Sequence, residues 1–178
     1  MRYVVLLRGI NVGGNSRVEM PKLKEELARL GYLDVTTYIN SGNAFFETDE
    51  KDPREIEIAI ERMLSANFGL DLHVVVRSAG EIERLMQDIP KSWVDTNHKY
   101  NVIFLRHSID TPAILENFAP KKDIEEVIYS PGALLWSART SDLTKSTMIK
   151  LAKSALYKEM TVRNINTTRK IAELMKSD

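Results

Sequence analysis

Cysteine is absent from the 178 residues, which removes disulfides, thiolate metal sites and cysteine nucleophiles together and fits a reducing cytoplasm. Charge of one sign is lacking as well. Lys+Arg and Asp+Glu both count 25, so the net charge is zero. Whole-chain charge therefore disfavours nucleic acid or an acidic membrane as partner, and such a role would need a local patch. No apolar stretch approaches the ~20 residues of a membrane span. The N-terminal run Tyr3–Leu7 is too short for a signal-peptide core and is broken by Arg8 and Asn11. These absences predict a soluble, cytoplasmic protein.

Catalytic constellations are thin. His73, His98 and His107 show no metal-ligand spacing, so no metal site is predicted. No G-x-S-x-G elbow occurs, Ser41 has no evident base, and Glu55, Glu57 and Glu61 read as a solvated helix face. No catalytic residue is assigned, enzymatic activity stays open, and no cofactor is predicted. The residues set no oligomeric state.

What is present is a polar loop after a buried strand. Arg8-Gly-Ile-Asn11-Val-Gly13-Gly14-Asn15 follows Tyr3–Leu7 and precedes a helix opening near Met20-Pro21. Backbone N–H groups at Gly13 and Gly14 and the Arg8 fork are suited to an anion, with Asn11 and Asn15 orienting polar edges. Neither nucleotide fingerprint, G-x-x-x-x-G-K-[ST] or G-x-G-x-x-G, is met. The competing reading is a loop that uses glycine for positive φ and asparagine for local caps.

The first half reads as strand, helix, strand, strand, helix, strand, helix. The first helix carries Leu23, Leu27 and Leu30 on one face and stops at Gly31. Strands at Val35–Ile39 and Ala44–Phe46 flank the turn Asn40-Ser41-Gly42-Asn43. Asp52, Pro53 and Glu55 form a helix-start signature with a capping box, and Ile56, Ile60, Met63 and Leu64 form that helix's buried stripe. A strand at Leu72–Val76 and a short helix capped by Ser78-x-x-Glu81 complete the block.

The second half repeats the order. Tyr100–Arg106 can be laid on Arg2–Arg8, Val127–Trp136 on Thr37–Phe46, and Lys170–Met175 on Glu81–Met86. The predicted fold is therefore α+β, a tandem duplication of a ferredoxin-like βαββαβ unit with antiparallel sheets. Residues 1–90 form the first unit, 91–98 a linker, and 99–178 the second. In that topology the end of the first strand lies beside the start of the third. The rim then gathers Arg8, Asn11, Gly13, Gly14, Asn15, Ser41, Gly42 and Asn43 as a site for a small anionic, phosphate-bearing ligand.

A second candidate lies at Arg163, Asn164, Thr167 and Arg169. Asn166 or Thr167 is suited to cap the last helix, and cations in its first turn oppose the helix dipole unless an anion is bound. Solvated charge beside a polar cap is the plainer reading. Recognition of RNA on the sheet face is disfavoured. Ser41–Thr48 echoes an RNA-recognition strand at Gly42, Ala44 and Phe45, but it lacks the leading basic residue and has Asn43 where a stacking aromatic belongs. A basic groove of Arg77, Arg84, Arg163, Arg169 and Lys170 keeps nucleic-acid binding as an alternative, beside a scaffold or interaction protein whose motifs serve loop geometry and docking.

These motifs also carry a resemblance. Leu6-Leu-Arg-Gly-Ile-Asn-Val-Gly-Gly14, Met20 with Leu23, and Thr37-Tyr-Ile-Asn-Ser-Gly-Asn43 with Phe46 closely resemble the bacterial family catalogued as domain of unknown function 1697. Thr161-Val-Arg-Asn-Ile-Asn-Thr167 is similar to that family's T-x-R-N-W-x-T segment, with Ile165 where the family usually has tryptophan. The resemblance implies that Arg8, Asn11, Gly13, Gly14, Ser41, Gly42, Asn43, Arg163, Asn164 and Thr167 belong to family motifs. It implies no established activity.

Overall fold

Every position of the first strand is apolar after Arg2, so both of its faces must be covered. A computed structural model of the protein, describing residues 1–11, 17–40 and 42–176, shows how. The elements run β1 (Arg2–Leu7), α1 (Met20–Arg29), β2 (Leu33–Tyr38), β3 (Asn43–Glu47), α2 (Pro53–Phe68), β4 (Val74–Ser78) and α3 (Ala79–Asp88). There follow β5 (His98–Leu105), β6 (Glu125–Ser130), β7 (Ala133–Arg139), α4 (Met148–Leu151), β8 (Met160–Asn164) and α5 (Ile165–Met175). They build two four-stranded sheets, ordered β2-β3-β1-β4 and β6-β7-β5-β8, with every pairing antiparallel. This is an α+β architecture.

Alternation along β1 divides its side chains between two cores. Tyr3, Val5 and Leu7 pack with Leu23 and Leu27 of α1 and Ile56, Ile60 and Leu64 of α2. Val4 and Leu6 face the other way, into a core shared by both sheets. That central layer takes Phe45 and Val75 from the first sheet and Val102, Phe104 and Leu135 from the second. Ile82 and Leu85 of α3 and Ile171 and Met175 of α5 fill it. Trp93, from the segment predicted as linker, is buried there and stacks on Tyr100 at 4.9 Å. A third core covers the far face of the second sheet.

The local signals hold at α2 and α3 with one change. Asp52 caps α2 through the N–H of Arg54, without the reciprocal glutamate bond of a capping box, whereas Ser78 and Glu81 form a full box on α3. The second half departs further from the predicted order. Between β5 and β6 stands a 3₁₀ turn, Pro112–Asn117, with Pro120 soon after it to stop propagation. Between β7 and β8 the helix α4 has only 4 residues. Hydroxyl side chains there bond locally instead: Ser146 Oγ accepts from the Met148 N–H and Ser154 Oγ donates to the Leu151 carbonyl.

The internal match also shifts. Val4 pairs with Arg77 and Val102 with Arg163, a spacing of 86 (163 − 77) between the last strands of the two sheets, beside the 89 of the match between Glu81–Met86 and Lys170–Met175. The two spacings differ by three residues, close to one helical turn, so both lay the same helix face on the other.

Candidate functional site

β1 ends at Leu7, whose N–H donates to the Gly42 carbonyl at 2.8 Å. This brings the Arg8 loop and the β2–β3 turn together. Gly42 has φ +83, and a Cβ there would lie 2.7 Å from Leu7 Cβ and 2.8 Å from Ile10 Cδ1. Only glycine allows that approach. Asn11, at φ +56, closes its loop with its side chain. Its Nδ2 donates to the carbonyls of Val18 and Asn40, both at 2.9 Å, while Oδ1 accepts from the Val18 N–H at 2.9 Å. Ile39 in the facing turn holds φ +51, a rare state for a β-branched side chain. An open cleft of about 650 Å³ lies beside this contact, lined by Asn11, Arg17, Val18 and Asn40 among others.

Gly13, Gly14, Asn15 and Ser41 lie outside the described residues. The structure brings the remaining predicted rim residues, Arg8, Asn11, Gly42 and Asn43, to one end of the first sheet. It also brings Arg163 there. This residue leaves β8 of the second sheet and is buried against the first. Its Nε donates to Asn43 Oδ1 at 2.7 Å, and its Nη2 donates to the carbonyls of Leu7 (2.8 Å) and Gly42 (3.2 Å). Burial lowers its pKa to about 10, so it stays charged at neutral pH. Asn43 completes the joint by donating from Nδ2 to the Tyr38 carbonyl at 3.0 Å.

The other members of the second set part company with Arg163. Asn164 caps α5, accepting from the Thr167 N–H at 2.8 Å, in place of the expected Asn166 or Thr167. Arg169 donates to the Trp93 carbonyl at 3.1 Å and borders a separate cleft between α3 and α5. Ile165, where tryptophan was expected from the resemblance, is buried in the central core.

Arg8 stands apart from all of these. It is half-buried, its Cζ lies 4.7 Å from the centre of the Tyr157 ring, and its Nε is closed to solvent without a hydrogen-bond acceptor. The other arginines without a hydrogen bond or ion pair from the side chain, Arg17, Arg54, Arg62 and Arg84, are exposed.

A cluster on the other side of the junction escaped the sequence reading. Arg106, after β5, is held by Glu61 of α2, with Nε–Oε1 at 3.1 Å and Nη2–Oε2 at 2.8 Å. His107 Nδ1 lies 2.9 Å from Glu57 Oε1, and its Nε2 lies 3.6 Å from Glu81. His73 Nε2 is 3.1 Å from Glu159. Burial works against the charged His107, but Glu57 and Glu81 outweigh it and raise its pKa. The signal in the sequence was the misread helix face: Glu57 and Glu61 are one turn apart and point at the second half, not at solvent. Among the described residues, no group of three or more histidine, aspartate or glutamate side chains is placed to hold a metal ion. Nor is any helix there long and apolar enough to cross a membrane.

These features define a two-sheet α+β protein with an arginine-bearing loop rim at the junction of its halves. The chain belongs to the family described as "Protein of unknown function (DUF1697)", whose model matches residues 1–136. It is similar to a solved structure described as the conserved bacterial protein SP0830 from Streptococcus pneumoniae, at 28% identity, 98% coverage of each chain and a TM-score of 0.86. No curated protein matches it.

Proposed function

We propose that the chain is a binding module for a small anionic ligand, phosphate-bearing compounds included, taken up at the rim where β1 ends, with Arg8 as its cationic contact. The observation that carries this is the state of Arg8: a half-buried guanidinium on an aromatic ring, with a secluded N–H that lacks an acceptor. Arg2 and Arg77 also hold an Nε without an acceptor, but their other nitrogens donate to the carbonyls of Leu174, Leu105 and Gly132, whereas the Arg8 fork meets only a ring, and that difference marks a place for an anion. The strained Ile39 and the Asn11–Asn40 contact lie on the same rim, and backbone strain gathers at ligand-holding segments.

The test is thermal unfolding against phosphate, nucleotides, sugar phosphates, carboxylates and short oligonucleotides. A ligand at 100 times its Kd stabilises the native state by about 2.7 kcal/mol. A selective shift that Arg8→Ala abolishes supports the reading, and a flat panel at millimolar ligand removes it.

A second reading, an interaction scaffold, draws support from Asn11, Asn43 and Arg163, whose side chains tie the loop and the two halves together. On that reading no small molecule shifts the midpoint. Both readings take the halves as copies of one ferredoxin-like unit, supported by their equal strand orders and qualified by the missing helices of the second half.

A further inference from the structure

Arg8 and Arg106 hold corresponding places. Each follows a leucine whose N–H donates to the glycine carbonyl of the neighbouring turn, Leu7 to Gly42 at 2.8 Å and Leu105 to Gly132 at 3.0 Å. Each then reaches across the junction toward the segment that leads into the last strand of the other half. Arg106 meets Glu61 of α2, ahead of β4. Arg8 meets Tyr157, ahead of β8.

The two arginines differ in what they find. Glu61 grips Arg106 side-on across Nε and Nη2, with Glu159 3.5 Å from Nη1. At Arg8 an aromatic ring lies over the guanidinium, and the Nε that would take the matching oxygen has no acceptor. We propose that a ligand carboxylate completes Arg8 side-on across Nε and Nη2, as Glu61 completes Arg106, so that the anionic ligand is a small organic carboxylate. This rests on the anion-binding reading above and narrows it.

The chemistry fits on three counts. A planar carboxylate matches the guanidinium edge with two parallel hydrogen bonds. Tyr157 offers the guanidinium a π face, with Cζ 4.7 Å from the ring centre, and the guanidinium N–H donors still call for a separate acceptor. The chain already builds this pairing at the corresponding position, where both oxygens lie within hydrogen-bond distance. Because Nε is closed to water, binding must uncover it, and a side-chain rearrangement at Arg8 accompanies uptake.

The experiment titrates the ¹⁵N-labelled protein with two matched pairs, acetate against inorganic phosphate and benzoate against phenyl phosphate, following the Arg8 Nε–Hε resonance in the parent and the Gly9 and Ile10 backbone amides in parent and variants alike. Saturable displacement of the Nε–Hε resonance by the carboxylates in the parent, with the affinity read from the backbone amides weakened about tenfold or more in Arg8→Lys, is the expected result. The lysine variant keeps the charge over Tyr157 but lacks the fork. Arg8→Met, with its fold checked by circular dichroism, is the second variant. If the phosphates move the resonance and the carboxylates do not, the proposal is overturned while the anion-binding reading stands. If none of the four moves it, or binding is equal in both variants, both readings fall.

Discussion

Arg77 and Arg163 exchange places across the junction between the two sheets. Arg77 leaves β4 and donates from Nη2 to the carbonyls of Leu105 and Gly132 (the latter at 2.8 Å), while Arg163 leaves β8 and donates from Nη2 to those of Leu7 and Gly42. Each guanidinium thus satisfies the strand end and turn of the opposite half. The symmetry breaks at Nε, and also at Nη1, where Thr161 accepts from Arg163 but Val75 stands two residues before Arg77. Asn43 gives Arg163 Nε its acceptor, whereas Ala133 occupies the corresponding place in β7 and Arg77 Nε has none.

Asn43→Ala should therefore remove the 2.7 Å bond from Arg163 Nε to Asn43 Oδ1, at a cost of about 1–3 kcal/mol for a buried charged donor. Arg163→Met removes the bonds to Leu7, Gly42 and Asn43 together and should cost about 3 kcal/mol or more. Urea unfolding with an unchanged slope measures both. A loss under roughly 0.5 kcal/mol for Arg163→Met, within the range of ordinary surface changes, would mean that the exchange holds nothing together.

Gly42→Ala and Gly132→Ala test the carbonyl side of the same joints. At Gly42 the new methyl meets Leu7 Cβ at 2.7 Å, and the backbone is left-handed. At Gly132 it falls 2.6 Å from Arg77 Nε, so that arginine must leave its hole. Strain at a special backbone position is on the order of 1–3 kcal/mol before any displacement is counted. Both variants should lose at least that much in chemical denaturation, and Gly69→Ala, where nothing lies within 4 Å, should lose less.

The shared core makes a claim about cooperativity. Val4, Leu6, Phe45 and Val75 from the first sheet bury their side chains against the second half, so residues 1–90 would expose an apolar face if separated. The intact chain should unfold in one calorimetric transition, with the calorimetric and van't Hoff enthalpies equal. Trp93→Ala, which removes a buried ring from that layer, should lower stability by about 3–5 kcal/mol without splitting the transition. Two resolved transitions in the parent protein would assign each sheet a core of its own.

Much of this was legible in the sequence because the signals were local. The apolar strands, the Asp52 and Ser78 caps and the Asn40–Asn43 turn are read from neighbouring residues, and topology alone set Gly42 beside Leu7. The missing helices of the second half were legible only in part, since Pro112 and Pro120 forbid a long helix while the hydroxyl run before α4 merely weakens one. The docking of Arg163 onto Asn43 joins residues 120 apart, and no periodicity records it. Glu57 and Glu61 misled for the same reason: a carboxylate on a helix looks solvated until the second half supplies Arg106 and His107.

His107 gives a pH signature to that second side of the junction. It faces Glu57 of α2 and Glu81 of α3, with Arg77 of β4 3.3 Å from its ring and opposing protonation. Its raised pKa means that the folded state holds the proton more tightly than the unfolded chain. The contribution is fully present below pH ~6.5, the ordinary histidine value, and is lost as pH rises through the raised folded value. Glu81 acts in the opposite direction. Burial would raise its pKa, but hydrogen bonds from His107 and Ser78 and the charge of Arg77 hold it at about 2. Its contribution is present above the ordinary value of 4.5 and disappears as pH falls toward 2. Stability should therefore be greatest between these limits. His107→Gln should flatten the alkaline limb of a stability–pH curve, and Glu81→Gln the acid limb. Parallel curves for parent and His107→Gln above neutrality would show that the imidazole is not charged between the two glutamates.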